Sequence, residues 1–144
     1  MKTSCLTPKA ISEVLLKARV RPTLQRLAIC QYVLCNADHP TADDVRAWVN
    51  KKFNQVSMGT VYNTLNTLVK VGLLQEFRLP HINKVLYDSN TTPHFHVIDL
   101  KSNMIVELPK EEVEVKFQRG LNISIESLDL VIYGSIGAAK KTKT

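Results

Sequence analysis

Ser57-Met-Gly-Thr-Val-Tyr-Asn-Thr-Leu-Asn-Thr-Leu-Val-Lys-Val71, closed by Gly72 and followed by extended runs at 73–79 and 84–87, is the stretch whose reading decides the fold. Ser57 suits an N-cap, and Gly72 suits the position just past a helix end. Val61, Leu65 and Leu68 recur at helical spacing, which predicts a helix from 58 to about 71. The opposite side, Tyr62, Asn63, Asn66, Thr67 and Lys70, is poor in acid and rich in groups that bond phosphates and base edges. The extended runs, joined by Pro80-His-Ile-Asn83, predict a hairpin. Helices followed by a two-stranded hairpin make a winged helix-turn-helix. The plainer alternative is an α+β domain whose fourth helix faces only water.

Three further helices precede this unit. Thr7-Pro8 is a cap with proline in the first turn, and Ile11, Val14, Leu15 and Ala18 form one stripe. Arg21-Pro22-Thr23 breaks the pattern. Thr23 then caps a second helix with Leu24, Leu27, Ala28, Val33 and Leu34 directed inward. A loop, Asn36-Ala-Asp-His39-Pro40, leads to Thr41, which with Asp44 begins a third helix in the manner of a capping box. Ala42, Val45, Trp48 and Val49 are its buried stripe, and Tyr32, Trp48 and Phe53 suit core packing.

Downstream, Thr92-Pro-His-Phe-His-Val-Ile98 reads as a strand. A strand places residues two apart on one face, about 7 Å along it. His94 and His96 therefore share a face and could share a transition metal if other ligands converge; otherwise they only decorate a strand. A hairpin between 94–100 and 104–108 puts Glu107 on the histidine face if its loop has an even number of residues, and on the other face if odd. A two-residue loop at Lys101-Ser102 sets Glu107 opposite His96, yet the Asn-Gly or Asp-Gly signal is missing.

With 144 residues the chain fits one domain or two small ones, and a formal net charge of +6 makes nucleic acid a plausible partner. There is no run of 18 apolar residues and no apolar signal core, so a cytoplasmic protein without a membrane span is expected. Cys5, Cys30 and Cys35 make no framework and are expected as reduced thiols, Cys30 and Cys35 lying about 140° apart on a helix. No His-Glu-x-x-His motif supports a metalloenzyme. His81 falls in the wing turn, exposed and non-ligating, and 140–144 is a solvated tail.

Arg21-Pro-Thr-Leu-Gln-Arg26, His39-Pro-Thr-Ala42, Val56-Ser-Met-Gly-Thr-Val-Tyr-Asn-Thr-Leu65, Gly72-Leu73 and His94-Phe-His96 occur in this order over nearly the whole chain. Together they resemble the ferric uptake regulator family of metal-dependent repressors. Thr60 to Asn63 look most like its peroxide-stress branch, since iron-uptake members commonly place Arg at the position of Asn63. The resemblance implies an α+β chain with a winged-helix DNA-binding domain (1–87), a hinge (88–93) and a small α/β dimerisation domain (94–144). It implies a regulatory Fe(II) or Mn(II), with Zn(II) as an occupant of purified protein, held by His39, Asp88, His94, His96 and Glu107. It also implies a homodimer on a palindromic double-stranded operator, not an enzyme. The DNA-contacting candidates are Arg21, Thr60, Tyr62, Asn63 and Asn66. In the family, ferrous iron reacts with peroxide and a ligating histidine is oxidised; an iron- or zinc-availability repressor is the alternative on the same fold.

Two departures stand out. Most members carry paired Cys-x-x-Cys motifs for a structural zinc, whereas three N-terminal cysteines exclude a four-cysteine zinc site here. Dimerisation is then expected to rest on apolar strands such as Val131-Ile132-Tyr133. The peroxide-sensing branch usually has Asp where this chain has Glu107, and the longer carboxylate bears on peroxide reactivity rather than on metal binding.

Overall fold

A computed structural model describes residues 5–79 and 82–137. His81 and the 140–144 tail lie outside the described residues. The chain forms two compact units, Met1–Thr92 and Pro93–Thr144. Among the described residues no helix is long and apolar enough to cross a membrane.

The first unit contains α1 (Pro8–Lys17), α2 (Leu24–Gln31), α3 (Ala42–Asn50) and α4 (Met58–Lys70), then the antiparallel pair β1 (Gln75–Leu79) and β2 (Lys84–Asp88). Each helix starts where a side-chain oxygen takes up a free backbone N–H. Thr7, Thr23 and Ser57 accept from Ala10, Arg26 and Thr60. Thr41 and Asp44 cap each other reciprocally, at 2.9 and 3.1 Å. Gly72, at φ 78°, ends α4 in the left-handed region, and Leu73 N–H donates to Leu68 O at 3.0 Å, a Schellman-type closure. The core collects Ile11 and Leu15 of α1, Ile29 of α2, Val45 and Val49 of α3, and Val61, Leu65 and Leu68 of α4.

The structure corrects several expectations here. Leu24 is 72% exposed, because it is the first residue past the cap and the inward stripe begins at Leu27. Thr67 is buried, although its spacing predicts a solvent-facing side chain. Its hydroxyl donates to Asn63 O at 2.8 Å, as Thr64 does to Thr60 O at 2.7 Å, so burial leaves neither oxygen unsatisfied. After α2 the chain widens into a π turn, Tyr32–Asn36, with Ala37 N–H donating to Tyr32 O. Cys35 lies beside Cys5, with Cα atoms 4.9 Å apart. Cys30 is free and buried, and burial pushes its thiol up to about 12, against a backbone hydrogen bond that lowers it. Tyr32 stacks on Trp48 with ring centroids 4.3 Å apart.

The second unit is a three-stranded sheet, order β4-β3-β5, made of β3 (His94–Asp99), β4 (Ile105–Pro109) and β5 (Val131–Gly134). β3 runs antiparallel to β4 and parallel to β5. Among its described residues the helical part is one 3₁₀ turn, Lys110–Glu112. Phe95 and Ile98 are buried, whereas Phe117, Leu121, Ile123, Ile125, Ile132 and Tyr133 are exposed.

Candidate metal centre and nucleic-acid interface

His39 is carried by the loop before α3 at φ 45°, a left-handed conformation several-fold enriched in histidine. Pro40 O accepts from Tyr87 N–H at 2.9 Å, so this loop is tied to β2. That bond sets His39 beside Asp88: Nε2 lies 3.3 Å from Asp88 Oδ2, and both side chains are 5% exposed. The sequence places Asp88 in the link after the wing; it is instead the last residue of β2, paired across to Gln75. Its Oδ1 accepts from Asn90 N–H at 2.8 Å, and Asn90 Oδ1 accepts from Thr92 N–H at 3.1 Å. These side-chain turns order the residues after the strand.

Asp38 is a partner that sequence reasoning missed. Its Oδ1 lies 2.8 Å from His39 Nδ1. The carboxylate lies within ion-pair reach of the ring. The available signal was an acidic residue immediately before the histidine.

In the second unit His94 and His96 present Nε2 atoms 3.1 Å apart. The register pairs His96 with Glu107, which decides the loop parity in favour of the histidine face. The turn responsible needs no glycine. Asn103 takes φ 58°, and Asp99 Oδ2 accepts from Ser102 Oγ at 2.8 Å. That bond, then one from Lys101 N–H, holds the Asp99 carboxyl below its ordinary range. Glu107 Oε1 lies 3.9 Å from His94 Nε2.

The donor chemistry fits a transition ion. Two nitrogens each ~2.1 Å from one ion stand roughly 3.0 to 3.4 Å apart for right-angle to tetrahedral geometry, and the His94–His96 separation falls in that window. Imidazole and carboxylate donors suit Fe(II), Mn(II) or Zn(II).

The candidate nucleic-acid face lies on α4. Tyr62, Asn63 and Asn66 are exposed along one side of it. Thr60 is half-buried and occupied at the cap, where its Oγ1 accepts from Ser57 Oγ at 3.0 Å. Arg21 is exposed before α2, and its carbonyl accepts from Arg26 Nη1 at 2.9 Å. α4 is steadied from below: Arg46 Nε donates to Val56 O at 3.1 Å, and Val56 N–H donates to Asn50 Oδ1 at 2.9 Å.

The model of the ferric uptake regulator family matches residues 17–133. The chain belongs to this family. Its members are dimeric, DNA-binding, metal-responsive regulators and not enzymes. A peroxide-responsive repressor PerR of Staphylococcus epidermidis is 34% identical over 121 residues, 82% of this chain and 80% of that protein. Among solved structures, the Helicobacter pylori ferric uptake regulator superposes with a TM-score of 0.69 at 16% identity, covering 93% of this chain and 94% of that one. That regulator is described as having three functional metal-binding sites. PerR from Streptococcus pyogenes, described for peroxide sensing and gene regulation, reaches a TM-score of 0.52 at 25% identity, covering 94% and 95%. Structures in the family hold zinc, manganese or iron.

Proposed function

We propose that this protein is a homodimeric transcriptional repressor that binds a near-palindromic double-stranded operator when a regulatory Fe(II) or Mn(II) is held by His39, Asp88, His94, His96 and Glu107, and that peroxide is its signal. The observation that carries this reading is the pair of converging Nε2 atoms, 3.1 Å apart, with Glu107 on the same face. The five ligands divide between the two units, so one ion drawing on both joins the winged helix to the sheet that pairs the subunits. Ferrous iron, when bound, supplies the peroxide chemistry. The chain's part is to present imidazoles and carboxylates at the site. The exposed apolar side chains of β5 and the segment before it form the subunit contact. On α4, Tyr62 packs on a thymine methyl and Asn63 or Asn66 reads adenine edges. Arg21 reaches the minor groove.

Operator binding measured with Mn(II) and with Fe(II), each with and without peroxide, tests this directly. Peroxide should abolish binding of the iron form irreversibly and spare the manganese form. Glu107, one methylene longer than the aspartate usual in peroxide sensors, supports a second reading, a repressor that responds to iron or zinc availability. In that case peroxide leaves the iron form active, and only withdrawal of metal releases DNA.

Asn63→Arg should change base preference at one position per half-site. Asn suits adenine and Arg suits guanine N7 and O6, with about 1–3 kcal/mol of discrimination for a bidentate contact. A series of substituted operators measures it; if the variant ranks them as the parent does, Asn63 does not read bases.

The absence of Cys-x-x-Cys pairs predicts that the dimer holds no thiolate zinc. Mild chelation should give a metal-free protein that is still folded and dimeric by sedimentation. Unfolding or dissociation on chelation would reveal another structural metal.

A further inference from the structure

Leu6, just before the cap of α1, and Cys35, in the π turn after α2, both pack against the core of the first unit. That shared packing sets Cys5 beside Cys35, thirty residues on, with Cα atoms 4.9 Å apart. Two cysteines can be bridged without moving the backbone when their Cα atoms stand roughly 4.4–6.8 Å apart, so neither segment has to rearrange.

The two differ in access: Cys5 is exposed and Cys35 half-buried. The third cysteine, Cys30, is fully buried on α2. Burial pushes its thiol up to about 12, so it supplies no thiolate to compete, and the thiolate is the reacting form. Cys35 also opens the stretch that leads to His39, whose far end is fixed by the bond from Tyr87 N–H to Pro40 O.

We propose that Cys5 and Cys35 are a peroxide-oxidisable thiol pair that closes to an intramolecular disulfide and staples the start of α1 to the turn after α2. The Cys5 thiolate attacks one oxygen of hydrogen peroxide. The O–O bond breaks, hydroxide leaves, and Cys5 becomes a sulfenic acid. The Cys35 thiolate then attacks the Cys5 sulfur, so that the S–S bond forms, the S–O bond breaks and a second hydroxide leaves. The protons given up by the two thiols convert both hydroxides to water. Two thiols and one peroxide thus yield one disulfide and two waters, and a thiol reductant reverses the change by exchange. This chemistry goes beyond the proposed function, because it needs no iron and leaves the candidate metal ligands untouched. A cross-link across this separation restricts the unfolded chain more than the folded one, so the oxidised winged helix is the more stable form.

The test uses the full-length protein, reduced, freed of reductant and loaded with Mn(II), which keeps iron chemistry out of the reading. It is treated with hydrogen peroxide at pH 8, where a thiol of ordinary pKa is about one quarter ionised. Mass spectrometry should show the loss of two hydrogens and a peptide pair joining Cys5 to Cys35, with Cys30 still alkylated after unfolding. The thermal midpoint should rise by roughly 5–15 °C and fall back with dithiothreitol. Cys35→Ser should stop at a Cys5 sulfenic acid that dimedone traps, and Cys5→Ser should give neither the bridge nor the shift in midpoint. Thiols that stay free through the treatment, a bridge to Cys30 or between two chains, Cys5 driven to sulfinic acid beside a free Cys35, or a bridge that leaves the midpoint unmoved would overturn the proposal. Every reading is taken without DNA, so the failure of this thiol pair and the failure of operator binding are separate results.

Discussion

His96→Ala should abolish the metal response of DNA binding while leaving a folded protein, and His39→Ala should do the same. Allosteric coupling of ~1–3 kcal/mol corresponds to a roughly 5- to 150-fold change in affinity, and that whole change is expected to vanish. His96 supplies one of two nitrogens 3.1 Å apart, so its loss halves the paired donor set. His39 is the other unit's imidazole, set near Asp38 and beside Asp88. Neither side chain belongs to the hydrophobic core of the first unit, so the far-ultraviolet spectrum and thermal midpoint should stay close to those of the parent. Fluorescence anisotropy on a labelled operator, titrated with Mn(II), reads the effect. An unaltered manganese response in either variant would remove that residue from the site.

Leu65→Ala should unfold the winged helix or bring it near that limit. Leu65 is fully buried on α4 at 0% exposure, in the cluster that joins all four helices. Truncations of this kind cost about 2–5 kcal/mol through lost burial and the cavity left behind. A domain's entire stability is of the order of 5–15 kcal/mol, so the loss is a large share of it. Operator binding should fall in step with the folded fraction, and lower temperature should restore part of it. Tyr62→Ala, at 47% exposure on the opposite face, serves as the contrast: full stability, weakened binding. Chemical denaturation separates the two. A Leu65→Ala protein as stable as the parent would mean that α4 does not depend on this packing, and with it the case for a rigid recognition element would fall.

Local chemistry made much of the chain legible without coordinates. Thr7, Thr23, Thr41 and Ser57 cap helices because a short side-chain oxygen can reach a backbone N–H two or three residues on, and that reach is set within a few residues. Ile11, Val61, Leu65 and Leu68 reveal their buried faces by period alone. His94 and His96 share a face for the same reason, since alternation along a strand is local. The ordered motifs placed the chain in its family.

Tertiary structure decided whatever depends on a partner distant in sequence. Glu107 joined the histidine face only through the register of β3 with β4, where a one-residue slip would have turned it away. Asp88 stands beside His39 because Tyr87 bonds to Pro40 across 47 residues, and no periodicity encodes that tie. Thr67 could be buried because the Asn63 carbonyl accepts its hydroxyl, while Leu24, first past the Thr23 cap, stays outside the core that α2 helps form. Glu76 and Arg78 line one groove beside α4 with Val85 and Tyr87 only because the hairpin register sets them opposite one another. Caps and stripes are written in spacing along the chain; ligand sets and charged grooves are made by elements that meet, and their geometry follows from packing.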